Sequence, residues 1–392
     1  MPGTPGSVGN IPPGPILTGG RLRKGGRSRT IRRVKPRKTR KRVPAAIKGT
    51  VWPKGSIVYL CGETRVPFGP KDTDLGGSEQ AVVQLSKRWV AAGHPVVVYG
   101  NVKACEVDGV HYRDLRDLHL ADTFDTVIFW RSFGVRMLPL VEAKHKYVDL
   151  HDSWDPKKYV ATDILLKQVS KFFVKSKYHR SLYDYIPDSQ IVEIMNGVQI
   201  DLFEKECKKV HTREPHRLIY ASTYERGLEP ILEHTWPRII KQIPDAEIHI
   251  FYGLNRLAKT PLGKKLKKLF KQKGVYEHGR VSLDEIAKQK CMSALHLYIS
   301  NHETEIDCIS VRESLVCGSV PVLGNDYVFK ERDGVHVPGS TKLATTYQKA
   351  ASVVVDLLED QEKLARKREE LKHSDTIISW DTVAEKWLSI IG

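Results

Sequence analysis

Two glutamates, Glu305 and Glu313, lie eight positions apart around the predicted start of a helix. The apolar positions Cys308, Val311 and Leu315 share one face of that helix, which begins near Cys308. Glu305 then lies in the preceding loop and Glu313 inside the helix. Unpaired backbone N–H groups of a first helical turn bind phosphate, and carboxylates accept hydrogen bonds from sugar and ribose hydroxyls. This arrangement indicates a site for a nucleotide-sugar.

The segment around these acids continues with Gly318, which predicts the helix end, and a short buried strand at 320–324. It resembles the E-x7-E signature of retaining glycosyltransferases with two Rossmann-like domains, in particular glycosyltransferase family four. The family usually has glycines where this chain has Ile306 and Cys308, and Pro321 comes one residue later than the family's proline. The spacing of the two carboxylates is the same.

The resemblance implies a role for each part of the motif. Glu305 is expected to bind the hydroxyls of the transferred sugar at the catalytic centre, and Glu313 the ribose hydroxyls. The backbone at Cys308 and Ile309 is expected to contact the donor phosphates. Nucleotide-sugar epimerases and sugar-phosphate phosphorylases can share the architecture, so the fold alone leaves these activities open.

From Ser56 onward, short β-rich runs alternate with helical periods, a pattern typical of parallel sheets with crossover helices. The strand candidates are 56–60, 95–99, 125–130, 146–150, 172–175, 191–195, 217–222, 247–253, 294–300 and 320–324. The predicted fold class is α/β, with two Rossmann-like doubly wound parallel-sheet domains in the GT-B architecture and a disordered basic N-terminal tail. Cysteine spacing indicates neither a zinc site nor a disulfide framework.

The predicted boundaries follow changes in composition. Residues 1–50 are assigned to the tail, 51–205 to the acceptor-side domain and 206–373 to the donor-side domain, with a polar linker at 201–216. One long helical region is expected at 343–373. The resemblance implies that a last helix in 374–392 crosses back to the first domain, with an apolar stripe of Trp380, Val383, Trp387 and Ile390.

Further candidates follow predicted strands, where ligands of parallel-sheet proteins bind. Gly76 and Gly77 precede the helix after the first strand, and their backbone allows close approach of a donor phosphate or an acceptor hydroxyl. His151 follows the strand KYVDL, and the resemblance places it, as a catalytic residue, near the transferred sugar. Arg226 resembles the family's phosphate-binding cation, although a second family cation has no counterpart here.

Weaker signals complete the donor-side prediction. Gly279 and Val281 resemble a loop that lines the nucleobase pocket. The acids Asp72, Asp74 and Asp152 lack a metal-ligand spacing, so neither a metal nor another cofactor is expected. The predicted partners are a nucleoside diphosphate sugar and an unidentified hydroxyl acceptor, which is a glycan, a lipid or a protein.

The first fifty residues hold fourteen Lys and Arg residues and no acid, so the net charge of +17 leaves 17 − 14 = +3 for the remaining chain. Such a segment binds polyanions by counterion release, whether nucleic acid or an anionic membrane surface. The residues assigned to this contact are Arg32, Arg33, Arg37, Lys38, Arg40, Lys41 and Arg42. A solvated tail without a specific partner, or a nuclear address at 37–42, stays open.

Localisation and one different class of function follow from the same features. No apolar run approaches a membrane span and no signal peptide is recognised, so a cytoplasmic protein is expected, with peripheral membrane contact open. The basic tail also leaves open a nucleic-acid- or particle-associated binding protein that uses a glycosyltransferase-like scaffold.

Overall fold

The runs rich in Val and Ile form parallel strands that helices cover. The computed structural model describes residues 49–62, 64 and 66–392. The strands are β1 Ile57–Gly62, β2 Val96–Gly100, β3 Cys105–Val107, β4 Val110–Asp114, β5 Thr123–Trp130, β6 Glu142–Asp149, β7 Lys171–Val174, β8 Ile191–Glu193, β9 Glu214–Ala221, β10 Glu247–Phe251, β11 Val275–Gly279, β12 Ser293–Tyr298, β13 Val320–Leu323 and β14 Val335–His336.

Helices separate most of these strands, as crossover connections between parallel strands require. They are α1 Gly77–Ala91, α2 Arg131–Gly134, α3 Thr162–Gln168, α4 Lys177–Ser181, α5 Ile200–Cys207, α6 Leu228–Pro230, α7 Trp236–Gln242, α8 Pro261–Leu269, α9 Leu283–Met292, α10 Ile309–Val316, α11 Ala344–Glu359, α12 Gln361–Leu371 and α13 Trp380–Ile391.

The strands form two sheets. The first has the order β3-β4-β2-β1-β5-β6-β7-β8, and the second has the order β11-β10-β9-β12-β13-β14. All pairs are parallel except the hairpin of β3 and β4. Both sheets belong to one compact unit. The predicted α/β class with two doubly wound sheets is confirmed.

The last helix, α13, packs on the first sheet although it follows the second in sequence. Trp380, Val383 and Trp387 are buried in the core of the first sheet, and the Trp387 ring stacks on Phe173 with centroids 3.6 Å apart. The chain crosses between the sheets twice, and the crossings are joined by a 2.8 Å hydrogen bond from the Val198 N–H to the Ile378 carbonyl. These crossings connect the two halves.

The structure adds detail to two predicted segments. The polar linker predicted at 201–216 contains most of α5, which buries Phe203, and the start of β9 at Glu214. The helical region predicted at 343–373 consists of two helices, α11 and α12. The Asp360 side chain accepts a hydrogen bond from the Lys363 N–H and begins a second helix there.

The cysteine interpretation needs correction. Cys207 at the end of α5 and Cys291 on α9 form a disulfide, although they are 84 positions apart in sequence. Spacing rules could not find it because the pair meets only through the packing of α5 on α9. Among the described residues, no helix is both long and apolar enough to cross a membrane.

Candidate active site

A cavity of about 410 Å³ lies between the carboxyl ends of the two sheets. Nine of the residues predicted from sequence line it: Gly76, Gly77, His151, Arg226, Val281, Glu305, Cys308, Ile309 and Glu313. Gly279 ends β11, one residue before the lining residue Arg280. The basic positions 32–42 lie outside the described residues. The cavity has the size and location of a small-molecule site in this class of fold.

Glu305 is buried in the loop before α10, and three groups hold its carboxylate. Its Oε1 accepts a 3.1 Å hydrogen bond from the N–H of Cys308, the residue directly before α10. Its Oε2 accepts a 3.1 Å hydrogen bond from the Tyr298 hydroxyl and forms an ion pair with Arg226. The loop therefore presents a fixed carboxylate to the cavity.

Arg226 reaches this carboxylate from the turn after β9. Gly227 has φ +91°, and a Cβ at this position would lie 2.0 Å from the Ile299 carbonyl oxygen, so only glycine fits the turn. Burial alone would lower the pKa of Arg226, but the charge of Glu305 outweighs it and raises the pKa above its ordinary value. A permanent cation thus stands beside the predicted sugar-binding acid.

The loop between Glu305 and α10 is anchored by a buried ionic network. Asp307 accepts hydrogen bonds of 2.8 Å from the Arg312 guanidinium and also contacts the Arg332 guanidinium. The Asn196 side-chain amide donates a 2.7 Å hydrogen bond to Asp307. Because Asn196 follows β8, the network connects the helix start to the exit from the first sheet.

Glu313 lies inside α10, and its carboxylate is paired with a buried lysine. The Lys290 ammonium on α9 donates to Glu313 Oε2 at 2.6 Å and to the carbonyl oxygen of Ser310 at 2.7 Å. Lys290 is fully buried. The ammonium fixes the orientation of the Glu313 carboxylate at the cavity edge.

His151 reaches the cavity from the first sheet, after β6. Its Nε2 lies 2.9 Å from Asp149 Oδ2, and Asp149 also accepts a 2.6 Å hydrogen bond from the Lys175 ammonium and one from the Tyr59 hydroxyl. Burial lowers the pKa of His151, although Asp149 opposes that shift. The imidazole is therefore neutral at pH 7 and held in one orientation.

Gly77 begins α1 on the opposite side of the cavity, close to the start of α10. A Cβ on Gly77 would lie 3.0 Å from Cδ1 of Ile309, so the glycine permits this approach of the two sheets. The starts of α1 and α10 therefore both border the space in which a phosphate would be held.

Sequence reasoning missed three cations of this site. Arg131 and Arg280 both line the cavity, and Lys290 supports Glu313. Arg131 directly follows a predicted strand, so the rule for strand ends could have found it. Arg280 follows β11, which is not among the predicted strands, and only its position beside Gly279 marks it. Lys290 lies in an ordinary charged helical stretch, and no local signal marks it.

Carboxylates around the cavity are matched with cations. Besides the pairs of Glu305 and Glu313, Glu79 lies 3.3 Å from Arg131, and Asp74 lies 2.7 Å from Arg280. The last pair joins the two sheets, as does a 3.0 Å hydrogen bond from the Leu283 N–H to the Thr73 carbonyl. The charges of these groups are already compensated within the protein.

A second cavity, of about 690 Å³, adjoins the first on the side of the first sheet. The two share lining residues, which include Gly76, Arg131 and Arg280. The indole of Trp154 lines the second cavity and is 59% exposed, so it offers a broad aromatic face. A second molecule could reach the first cavity by this route.

Comparison with known proteins supports the fold. No family model matches the sequence, and no curated protein matches it. Among solved structures, Anabaena HepE in complex with UDP and glucose matches with 13% identity and a TM-score of 0.61, covering 84% of this chain and 98% of that chain. A glycosyltransferase from Rickettsia africae matches with 16% identity and a TM-score of 0.61, covering 87% and 98%.

The catalytic domain of starch synthase IV from Arabidopsis thaliana, bound to ADP and acarbose, matches with 10% identity and a TM-score of 0.62. The match covers 86% of this chain and 99% of that chain. At these identities the likeness concerns the fold. The chain has the GT-B fold of these glycosyltransferases.

Proposed function

We propose that the chain is a retaining glycosyltransferase that transfers a sugar from a nucleoside diphosphate donor to an acceptor hydroxyl without a metal ion. One observation carries the proposal: both acids of the E-x7-E motif line one cavity, with the start of α10 between them. The complexes of HepE with UDP and of starch synthase IV with ADP make uridine and adenine nucleotides the first donors to test.

The donor lies mainly against the second sheet. The ribose hydroxyls donate to Glu313, which Lys290 holds in place. The diphosphate lies at the first turn of α10, where backbone N–H groups supply positive potential. The sugar then extends toward Glu305 and toward His151 on the first sheet, which matches the roles that the sequence resemblance implies.

Donor binding requires a change of partner at Arg226. Its guanidinium is paired with Glu305 in the structure, whereas the leaving phosphate needs a cation and the sugar hydroxyls need a free carboxylate. Arg226 therefore turns from Glu305 to the phosphate as the sugar takes its place. The Arg226 charge then faces the phosphate, and Glu305 keeps its hydrogen bonds from the Cys308 N–H and the Tyr298 hydroxyl while it accepts those of the sugar.

In the reaction the bond between the anomeric carbon and the phosphate oxygen breaks, and the acceptor oxygen bonds to the same face of the sugar. The acceptor's proton passes to the departing phosphate, so atoms and charge balance. The protein's contribution is electrostatic: Arg226 and the N–H groups at α10 stabilise the developing charge on the phosphate. His151, being neutral and donating from Nε2 to Asp149, can accept a hydrogen bond from a sugar hydroxyl at Nδ1 without adding charge.

The cations around the cavity support the absence of a metal from the mechanism. Once Arg226 has turned from Glu305, its guanidinium and the N–H groups at the start of α10 face the charge of the diphosphate. Glu313, Asp74 and Glu79 keep their cationic partners, and Glu305 faces the sugar hydroxyls. No group of these acids is left to form a set of metal ligands in the described part of the site.

The acceptor enters through the second cavity. It contributes a hydroxyl at the shared boundary near Gly76 and Arg131, while its remaining part contacts the exposed face of Trp154. Domain closure about the two chain crossings would exclude water during transfer. Without closure, the expected side reaction is hydrolysis of the donor.

The test incubates the full chain with UDP- and ADP-sugars and measures nucleoside diphosphate release with and without a chelator. Release that persists with chelator, and is lost in Glu305→Gln, is the expected result. Glu303→Gln is the matched control, because this neighbouring glutamate is exposed. Complete inhibition by chelator would contradict a metal-free reaction.

Product analysis separates the alternatives. Nuclear magnetic resonance of the glycoside reports whether the anomeric configuration is retained. An epimerase would instead return an isomerised nucleotide-sugar without any acceptor. A binding protein with an inactive scaffold would show nucleotide affinity but no release of the nucleoside diphosphate.

A further inference from the structure

Three cysteine sulfurs meet behind the donor half of the site. Cys207 and Cys291 form a disulfide with a Cα–Cα distance of 5.3 Å, and the Sγ of Cys317 lies with theirs in a group within 4.8 Å. They come from three helices: Cys207 ends α5, Cys291 lies on α9, and Cys317 directly follows α10. The bond therefore joins the helix after the first chain crossing to a helix of the donor side.

The three sulfurs differ in their access to solvent and in their chemistry. Cys207 is partly exposed, whereas Cys291 and Cys317 are buried in an apolar cluster with Phe203 and Ala287. Burial raises the pKa of Cys317 to about 12, so this residue stays a thiol at neutral pH and is a poor nucleophile. Cys207 is the partly exposed member of the bonded pair, so a reductant from solution would approach the bond from its side.

The bond is one residue away from the group that positions the ribose acid. Cys291 directly follows Lys290, whose ammonium holds Glu313. The Arg213 guanidinium adds a second connection, since it donates to the Ser293 carbonyl at 2.5 Å and to the Cys317 carbonyl at 2.6 Å. A change in how α9 packs on α5 must therefore reach the contact between α9 and α10.

We propose that Cys207 and Cys291 form a reversible disulfide, here called the redox latch, that controls how well ordered α9 and α10 are. Through Lys290 and Glu313 it also controls the affinity for the nucleotide. The effect on nucleotide affinity rests on the proposed function, whereas the effect on the structural order of the two helices does not. The oxidised latch is the high-affinity state, because it fixes α9 in the position seen here. Its redox partner is a dithiol, either a small molecule or a thioredoxin-type protein.

The exchange balances in two steps. A thiolate of the dithiol attacks the Cys207 sulfur, breaks the disulfide and releases Cys291 as a thiolate, which takes up a proton. The second thiol of the dithiol, as its thiolate, then displaces Cys207, which also takes up a proton. Two electrons and two protons pass from the dithiol to the protein, and the dithiol becomes a disulfide. Oxidised dithiol reverses both steps.

A thiolate metal site is the competing interpretation of the same three sulfurs. Soft metal ions prefer thiolates, and a closed structural zinc site uses four ligands. Among the described residues, no histidine or carboxylate joins these three sulfurs, and two of them are already bonded to each other. The geometry therefore favours the latch, and metal uptake becomes an outcome of the test.

The first measurement counts thiols on the denatured full chain without reductant. Four reactive thiols are expected, from Cys61, Cys105, Cys308 and Cys317, and all six cysteines should react after treatment with dithiol. Hydrogen–deuterium exchange then compares the oxidised and the reduced native protein. Reduction should raise exchange in 283–292 and 309–316, and reoxidation should restore protection.

The second measurement titrates UDP and ADP into both redox states. Reduction should raise the dissociation constant of the nucleotide that binds, UDP or ADP, by roughly fivefold or more, a size typical of coupling between sites. Cys207→Ser should behave like the reduced protein under all conditions. Cys105→Ser is the control, because Cys105 is also partly exposed but lies on β3 of the first sheet, and it should keep the response of the natural chain.

Three results would overturn the latch. Six reactive thiols without reductant would show that the bond does not form. A bond whose reduction leaves exchange in both helices unchanged would be a structural crosslink only. One equivalent of Zn²⁺ bound by the reduced chain, with protection restored, would identify a metal site. If exchange responds but neither UDP nor ADP binds, the latch stands and the proposed nucleotide chemistry fails.

Discussion

The ammonium of Lys290 lies 2.6 Å from the Glu313 carboxylate, and both side chains are buried. Such a pair gains attraction from the low dielectric but must offset the loss of water around two charges. Here the pair also places a carboxylate at the edge of the cavity. It therefore has two separable effects, one on nucleotide binding and one on folding.

Replacing Glu313 by Gln should weaken nucleotide binding. The amide keeps the shape but loses the charge: a hydrogen bond to a charged group is worth about 1.5–3 kcal/mol and one to a neutral group about 0.5–1.5 kcal/mol, so about 1–1.5 kcal/mol is lost. The dissociation constant for UDP or ADP should therefore rise by roughly tenfold. Isothermal titration calorimetry measures it. An unchanged constant would count against the assignment of Glu313 to the ribose.

Replacing Lys290 by Met should destabilise the fold, because it leaves the Glu313 charge buried without its cation. The expected loss in the free energy of unfolding is about 3–5 kcal/mol. Lys290→Met combined with Glu313→Leu removes both charges and should regain most of that loss without restoring nucleotide binding. Urea unfolding and nucleotide titration on the same variants separate the two effects.

The control for this series is Lys288→Met, an exposed lysine on the same helix. It should change the free energy of unfolding by no more than about 0.5 kcal/mol. If Lys290→Met changed the free energy of unfolding as little as Lys288→Met, the pair of Lys290 and Glu313 would not contribute to folding. The pair could then not carry the effect of the disulfide from Cys291 to the nucleotide site.

Glu305→Gln should lower turnover and leave nucleotide affinity intact, in contrast to Glu313→Gln, which should lower nucleotide affinity. Its carboxylate faces the sugar, so the variant should lower kcat by about a hundredfold, within the range for a group that acts in the transition state. Affinity for the nucleoside diphosphate should stay the same or increase, because Arg226 loses its competing partner. Steady-state kinetics and calorimetry decide this. A large loss of nucleotide affinity would contradict the placement of Glu305 at the sugar.

Local patterns predicted the parts of the site that lie at strand and helix ends. Glu305, Arg226 and His151 each follow a strand candidate, and parallel strands direct such residues to one edge. The fold class followed from the alternation of apolar runs and helical periods, which is also visible in short stretches of sequence. These signals are local in sequence, so one chain suffices to find them.

The groups that hold the site in place could not be predicted in this way. Asp307 and Arg312 look like surface residues of an amphipathic helix start, but they are buried against each other. The disulfide of Cys207 and Cys291 depends on how α5 packs on α9. Partners so far apart in sequence meet only through tertiary packing, and no spacing rule reports it.

Buried histidines predict that stability falls in mild acid. Burial lowers the pKa of His179 to about 3, and it lowers the pKa of His296 and His151 as well. The unfolded chain binds these protons below pH ~6.5, whereas the folded chain does not. The stabilisation is complete above pH ~6.5 and is lost as the pH falls toward 3. Each histidine contributes up to about 1.4 kcal/mol per pH unit in that window.

Urea unfolding at several pH values between 7.5 and 4.5 measures this dependence. The free energy of unfolding should rise with pH across the window. His179→Gln removes one titrating group and should reduce the slope by up to about 1.4 kcal/mol per pH unit. The same slope in the variant and in the natural chain would show that His179 is not the buried neutral group described here.

The basic segment at 21–42 should attach the protein to polyanions through charge alone, independently of catalysis. It holds most of the chain's excess positive charge and has neither acids nor aromatic residues for base stacking. Affinity for nucleic acid or anionic vesicles should therefore fall steeply as salt rises, with little dependence on sequence. Deleting residues 1–48 should abolish this binding and leave donor turnover unchanged. Binding that survives the deletion would place the contact on the folded domains, where the exposed lysines of α8 are the next surface to test.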